Sequence, residues 1–536
     1  MSLCGVALLL LVGCGKSGTS SSGTSATVST STRAASVADQ SSFASSISAM
    51  SKGDMYLVDL SSGAKTLDFS ASGGSAQYVL MVQSKKSAAG SASVTVGDQS
   101  VVLGGMDKNI ASPGLGDSLD ADAQFDALLR EAEANLTVDV AQESVRAHAT
   151  KSHAKSISVG SSKTFRVLSS LASTGAYQTV TATAKCVNTT IVLYLDDEAP
   201  TALTADQIST LCTQFAQGLT TEYSILGAAP DINGDGVVAI LMTPVVNRIG
   251  GSLGGIVTGF FWGGDLSTSG SGNPSSNFQE VVYTLIPDPS GQYGTQIPSD
   301  FAMANLLPAV VPHEVQHLIS YYNHVFVNGG TAEATWLNEA MSHLIEDVVG
   351  FGQENPSREE LFLASTEDTA LITSGAPGLT ERGASYMFMR FLYEQASDGA
   401  AFLRAVDATS QTGVSNILQA FAGPAGMDSW DAMLLHWGVA VVLTNADVTS
   451  DAHYIYTART QNTTTGHWEG VCVHCDTEDG RGTTLAGPSL LSLASLGSTR
   501  LLAGSAAYID LSAPPASLAV TPSSSADIQA VLIRTQ

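Results

Sequence analysis

The sequence predicts a multidomain α+β protein in which a mixed sheet is followed by a mostly helical part, with small β-rich regions on both sides. Three observations carry that prediction. Short apolar runs of strand character fall at residues 164–168, 180–184, 190–195 and 237–242. From residue 300 to about 444 the apolar residues recur at helical spacing instead. Residues 42–101 and the chain after residue 484 return to short runs punctuated by Gly and Ser. The expected units are residues 36–163, a β-rich domain with a helical connector, then 164–445, then a C-terminal β-rich domain at 446–536.

The chain opens with an apolar run at residues 5–12 that ends in Leu11-Val12-Gly13-Cys14. A bilayer span needs roughly 18–20 apolar residues, so this run is too short to cross one. Residues 1–14 resemble a bacterial lipoprotein signal, with Cys14 as the lipidated first residue of the mature chain. The Ser/Thr/Gly-rich residues 15–35 would then be a tether. No Lys or Arg precedes the apolar run, unlike the usual positive start of a signal peptide. A plain cleaved secretion signal is the alternative. Either form exports the chain, to a membrane through Cys14 or to the extracellular space. Gly15 is not the aspartate that often retains lipoproteins at the inner membrane, which favours the outer membrane or cell surface.

The composition fits an exported protein. The chain has 536 residues, 13% of them charged, and a formal net charge of −26. That balance argues against nucleic-acid partners, which need basic patches. Beyond Cys4 and Cys14, four cysteines remain: Cys186, Cys212, Cys472 and Cys475. An even count in an exported chain suggests disulfides. Proximity pairs Cys186 with Cys212 and Cys472 with Cys475, although four cysteines allow three pairings. The segment His467 to Cys475 could also hold a metal, but no second ligand pair lies nearby at zinc-ribbon spacing.

Between the leader and the helical part, each element has a local signal. Runs at 55–60, 76–82 and 93–96 read as strands. Residues 121–136 read as one charged amphipathic helix serving as a connector. Residues 204–219 read as a helix capped by Thr204. Asp231-Ile232-Asn233-Gly234-Asp235-Gly236 resembles the opening of a calcium (Ca2+) loop, with Asp231, Asn233 and Asp235 at ligand positions. Position 12 would be Met242, which excludes a complete EF-hand. A partial calcium site and a tight acidic turn before a strand both remain.

The chemistry concentrates at His313-Glu314-Val315-Gln316-His317, followed by Trp336-Leu337-Asn338-Glu339. Histidines four apart on a helix share a face and can bind one zinc ion, with the intervening glutamate beside it. Val310, Val311, Val315, Leu318 and Ile319 surround the motif in helical phase. Pro312 fits the first turn of such a helix, or kinks it if the helix starts near Leu306. Asn328-Gly329-Gly330 marks the turn before a second helix, on which Glu339, His343 and Asp347 form a polar stripe.

This pattern resembles the gluzincin metallopeptidases, the thermolysin-like clan. Longer stretches are similar to the hyicolysin family. They are Asp231 to Gly236 with Ile240-Leu-Met-Thr-Pro244, Gly259-Phe-Phe-Trp262 with Asp265-Leu266, Ser276-Asn277, Trp336 to Asp347, and Gly383 to Leu392. The resemblance covers roughly residues 165–440. It implies a thermolysin-like catalytic domain, with zinc (Zn2+) held by His313, His317 and Glu339 and Glu314 as general base. Thermolysin-like enzymes carry an aspartate four residues after the ligand glutamate. Here that position is His343, and Glu346 or Asp347 could orient an imidazole instead.

Three protein ligands leave one zinc position open for water. Glu314 could take that water's proton and pass it to a leaving amine. Tyr386 and His343 are candidate donors to the tetrahedral intermediate. The expected function is a surface-anchored zinc endopeptidase acting on protein or peptide substrates. The alternative is a catalytically inactive adhesin or binding protein on a peptidase scaffold.

Overall fold

The computed structural model describes residues 43–97, 120–134, 136, 157–170, 176–268, 273–475, 483–493 and 498–536. The leader, Cys14 and the tether lie outside the described residues. Strands β1 (Met55–Leu57), β2 (Lys65–Asp68), β3 (Tyr78–Ser84) and β4 (Ser91–Val96) come first, then helix α1 (Asp120–Ala134). Next come β5 (Ser162–Ser170), β6 (Ala176–Val187) and β7 (Ile191–Asp196), then α2 (Ala205–Leu226), β8 (Val238–Met242) and α3 (Pro244–Ser252). Strands β9 (Gly259–Phe261) and β10 (Val281–Thr284) complete a six-stranded sheet of order β5-β6-β7-β8-β10-β9.

This sheet is mixed. β7, β8 and β10 run parallel to one another in the centre, while β5, β6 and β7 pair antiparallel on one side and β9 pairs antiparallel with β10 at the other edge. The central strands are buried along their whole length, as expected of parallel strands covered on both faces. Thr204 caps α2 in a reciprocal box with Gln207, and the helix runs one to two turns beyond the predicted residue 219. The acidic turn feeds β8. Its side-chain oxygens take backbone amides: Asp231 from Gly236 at 3.1 Å, Asn233 from Asp235 at 3.0 Å and Asp235 from Val237 at 3.1 Å. Those bonds are a turn's own, and nothing in the geometry supports calcium there.

The helical part holds α4 (Leu307–Tyr321), α5 (Thr335–Val348), α6 (Asn355–Leu363), α7 (Leu379–Gln395), α8 (Gly399–Asp407), α9 (Gly413–Ala420) and α10 (Trp430–Leu443). Pro308, not Pro312, occupies the first turn of α4, and Pro312 lies inside the helix. Wide π-turns at Ala302–Leu306 and Tyr322–Val327 bracket it. A Cβ at Gly259 would stand 2.6 Å from both the Tyr283 carbonyl oxygen and a methyl of Val310. Glycine is what lets edge strand β9 lie this close to α4.

After two short ribbons, β11 (Thr460–Gln461) with β12 (Trp468–Glu469) and β13 (His474–Cys475) with β14 (Leu485–Ala486), come five strands. These are β15 (Leu490–Ser492), β16 (Ser498–Leu502), β17 (Ala506–Leu511), β18 (Ser517–Pro522) and β19 (Ile528–Arg534). They do not form sheets of their own. They interleave with the N-terminal strands as β1-β19-β3-β17-β15 and β16-β4-β18-β2. The two terminal β-rich regions, read separately in the sequence, therefore build both sheets jointly. Strand β3 shows why its sequence is apolar without a break from Tyr78 to Val82. Tyr78, Leu80 and Val82 face the core between the two sheets, while Val79 and Met81 face the core shared with the helices.

Candidate metal centre

All residues of α4 are buried, so the polar groups it carries must find partners inside the protein. His313 and His317 project from α4 toward Glu339 of α5. His313 Nε2 stands 3.5 Å from Glu339 Oε2, and His317 Nε2 stands 3.3 Å from Glu339 Oε1. Ligand atoms of the three residues all lie within 4.8 Å of one another. Two ligands each about 2.0–2.1 Å from one tetrahedral zinc stand about 3.3–3.4 Å apart, so the observed spacing fits that ion. The hydrogen bonding fits as well. Neither oxygen of the fully buried Glu339 carboxylate has a hydrogen-bond donor, although the Arg382 guanidinium stands 3.3 Å away. Such a group calls for a cation.

Without an ion, the electrostatics show how strongly these groups act on one another. Burial alone would push the Glu339 carboxyl up, but Arg382 and the two imidazoles outweigh it and hold it well below the usual range. Burial opposes a charge on His313, yet Glu339 and Glu346, one at each ring nitrogen, raise its pKa well above the ordinary value. Burial pulls His317 down to about 4 against the attraction of Glu339. Glu314 lines the same pocket and is pushed up to about 8 by burial, with His313 opposing and Asp126 reinforcing the shift.

The carboxylate that reaches the imidazoles from their far side is Glu346. Its Oε1 lies 2.7 Å from His313 Nδ1 and 3.1 Å from His343 Nδ1. At about 100° per residue, seven residues beyond Glu339 return to within about 20° of its face, whereas eight overshoot by about 80°. Asp347 consequently points elsewhere, to Arg390 at 2.6 Å and the Gly470 amide at 2.9 Å. Tyr386 goes with it. Its hydroxyl bonds to Asp347, and the ring borders a neighbouring cavity of about 300 Å³ with His467 and Trp468. The structure thus commits Asp347 and Tyr386 to each other and to Arg390, and leaves His343 beside His313, where it lines the pocket.

Several participants were not foreseen. Ser342 donates to Gln316 and lies 3.3 Å from His317 Nδ1. Arg382 pairs with Asp122 at 3.1 Å and with Asp126, both on α1. The charged row 122, 126 and 130 on that helix was the available signal, because residues four apart lie one turn apart on a helix. Away from the centre, Cys186 pairs with Cys212 and Cys472 with Cys475 in disulfides. The second disulfide takes up the thiols of the alternative metal segment.

Comparison with known proteins adds little to this. No protein-family model matches the chain, and a search of curated proteins finds no match. Among solved structures, native yeast LTA4 hydrolase aligns over 48% of this chain and 41% of its own, at 10% identity and a TM-score of 0.28. The alignment spans less than half of that protein. No described helix is long and apolar enough to cross a membrane.

Proposed function

We propose that the chain is a zinc-dependent endopeptidase of the gluzincin type, exported and anchored to a membrane through Cys14. One observation carries the catalytic reading: two imidazoles and a carboxylate without hydrogen-bond donors converge at tetrahedral spacing beside Glu314. His313, His317 and Glu339 would hold the ion. Bound zinc supplies a Lewis acid that polarises a carbonyl and acidifies water. Glu314 lines the same pocket as His313, in position to accept a proton from water and return it to the leaving amine. Glu346 fixes the ring and tautomer of His313 through Nδ1. His343 is the nearest candidate to donate to the developing oxyanion. Export is supported by the lipoprotein-like leader and by the two disulfides. The substrates are proteins or peptides, and the acidic chain gives no reason to expect nucleic acid.

The test measures zinc content and peptide cleavage on the purified full chain beside Glu314→Gln. Zinc in both with cleavage only in the parent, reduced about 10²–10⁴-fold by the substitution, supports the reading. Absence of zinc from both would overturn it.

A further inference from the structure

An endopeptidase must admit an extended peptide to its metal, yet His317 and Glu339 are at most 1% exposed. The pocket that holds His313 and Glu314 measures about 60 Å³. That is room for a few waters, whereas ligand clefts run to about 300–1,000 Å³. What closes it is α1. Two stripes of this helix face inward. Phe125 and Leu129 are buried, and the Phe125 ring packs on Phe260 of edge strand β9 at 5.1 Å. Beside them runs the charged row. Asp122 and Asp126 line the metal pocket and pair with Arg382, which itself touches Glu339. One and two turns further on, Arg130 and Glu133 pair with each other, and Glu133 accepts the Gly263 amide at 2.6 Å just beyond β9.

A mere connector would turn its charges to water. This one carries them inward and leaves Arg130 Nε and Nη2 buried without a partner. We infer that α1 is a resident plug, a segment of this chain that occupies the substrate cleft and holds the parent to the low activity that its transient opening allows. The inference rests on the peptidase reading above. The plug differs from a detachable leader segment, because the strands that precede it are built into both terminal sheets. Release therefore comes by movement or cutting of α1, with the strands before it staying in place.

The experiment uses the zinc-loaded full chain and a dipeptide hydroxamate as probe of metal access. In the parent, the observed association rate should level off as the hydroxamate concentration rises, because opening precedes binding. A rate that stays fast and linear in concentration would overturn the plug without touching the zinc reading. Two variants loosen α1: Asp122→Asn with Asp126→Asn, and Phe125→Ala alone, each checked for folding by circular dichroism. Each should raise hydroxamate association and cleavage of a quenched peptide at least tenfold with zinc unchanged. Folded, zinc-loaded variants with both rates unchanged would sink the inference. If parent and variants all lack zinc, it is the peptidase reading that fails.

Discussion

Of the three buried carboxylates on helix α5, two that lie two turns apart, Glu339 and Asp347, live in opposite circumstances. Asp347, near its C-terminal end, is satisfied by protein: the Arg390 guanidinium, the Gly470 amide and the Tyr386 hydroxyl all address it, and Glu394 takes Arg390 Nε at 2.9 Å. Glu339, near the N-terminal end, has imidazoles at 3.3 and 3.5 Å and the Arg382 guanidinium at 3.3 Å, yet neither of its oxygens takes a hydrogen bond of good geometry. Burial is equal and residue chemistry is alike, so the difference is one of function. A buried ion pair that is complete holds helices together. One that is incomplete around two imidazoles is waiting for an ion. Removing either carboxylate should therefore cost different things.

The largest contrast concerns zinc itself. Glu339→Gln should weaken zinc binding by more than the 10–100-fold that losing an outer partner costs. In the parent, zinc at a thousand times its Kd should add about 4 kcal/mol to stability, an increment that a chelator removes. The substitution should abolish that increment while leaving the metal-free protein folded. Thermal melts with and without zinc check this, and a zinc increment surviving in Glu339→Gln would contradict the ligand assignment.

Asp347→Asn should show the converse. It leaves Arg390 with Glu394 and the Ala458 carbonyl only, so the cost should fall below the about 3–5 kcal/mol of a fully broken buried pair. The zinc increment should persist on top of the lowered stability. A variant that instead lost zinc at unchanged metal-free stability would bring Asp347 into the metal centre and erase the contrast.

Glu346→Gln probes the carboxylate between these two. It should reduce zinc affinity about 10–100-fold, because the amide can still bond to His313 Nδ1 but no longer stabilises its polarised form. Zinc titration by competition with a chromophoric chelator reads the change. An unaffected affinity would return the orienting role to another group.

How much of this was legible in the sequence follows from the range of the interactions involved. The motif on α4 and the ligand glutamate on α5 were readable because helical periodicity puts residues of known chemistry on known faces. The central sheet was readable because parallel strands are continuous apolar runs, as in Val238–Met242. The Thr204 cap was readable because it is made within four residues. Partnerships across hundreds of residues were not. Nothing local says that Tyr78–Ser84 pairs with Ala506–Leu511 and Ile528–Arg534, although the apolar run from Tyr78 to Val82 signalled burial on both faces. The stripe of Glu339, His343 and Asp347 is not one face, because each four-residue step drifts about 40°, and two steps, about 80°, turn Asp347 away from Glu339. Arg382 and α1 were missed because their roles exist only through contacts between residues some 260 apart in the chain, such as Arg382 with Asp122.

The smallest effect sharpens the comparison most. Tyr386 was expected as a donor to the reacting carbonyl, and the structure gives its hydroxyl to Asp347 instead. Burial and the neighbouring Asp347 push that phenol far above its ordinary pKa, so it stays protonated and donates at any working pH. Tyr386→Phe deletes one of several donors to Asp347 and leaves Arg390 and Gly470 in place. The expected cost is about 1 kcal/mol of stability. Turnover per zinc-loaded molecule should change by less than about twofold, because losing a true oxyanion donor costs about 10²–10³-fold. Those outcomes differ by at least fifty-fold on that scale, so one kinetic measurement separates them. A large fall in kcat with zinc retained would mean that Asp347 and Tyr386 join the catalytic end of α5 when substrate binds, and the division drawn along that helix would not survive it.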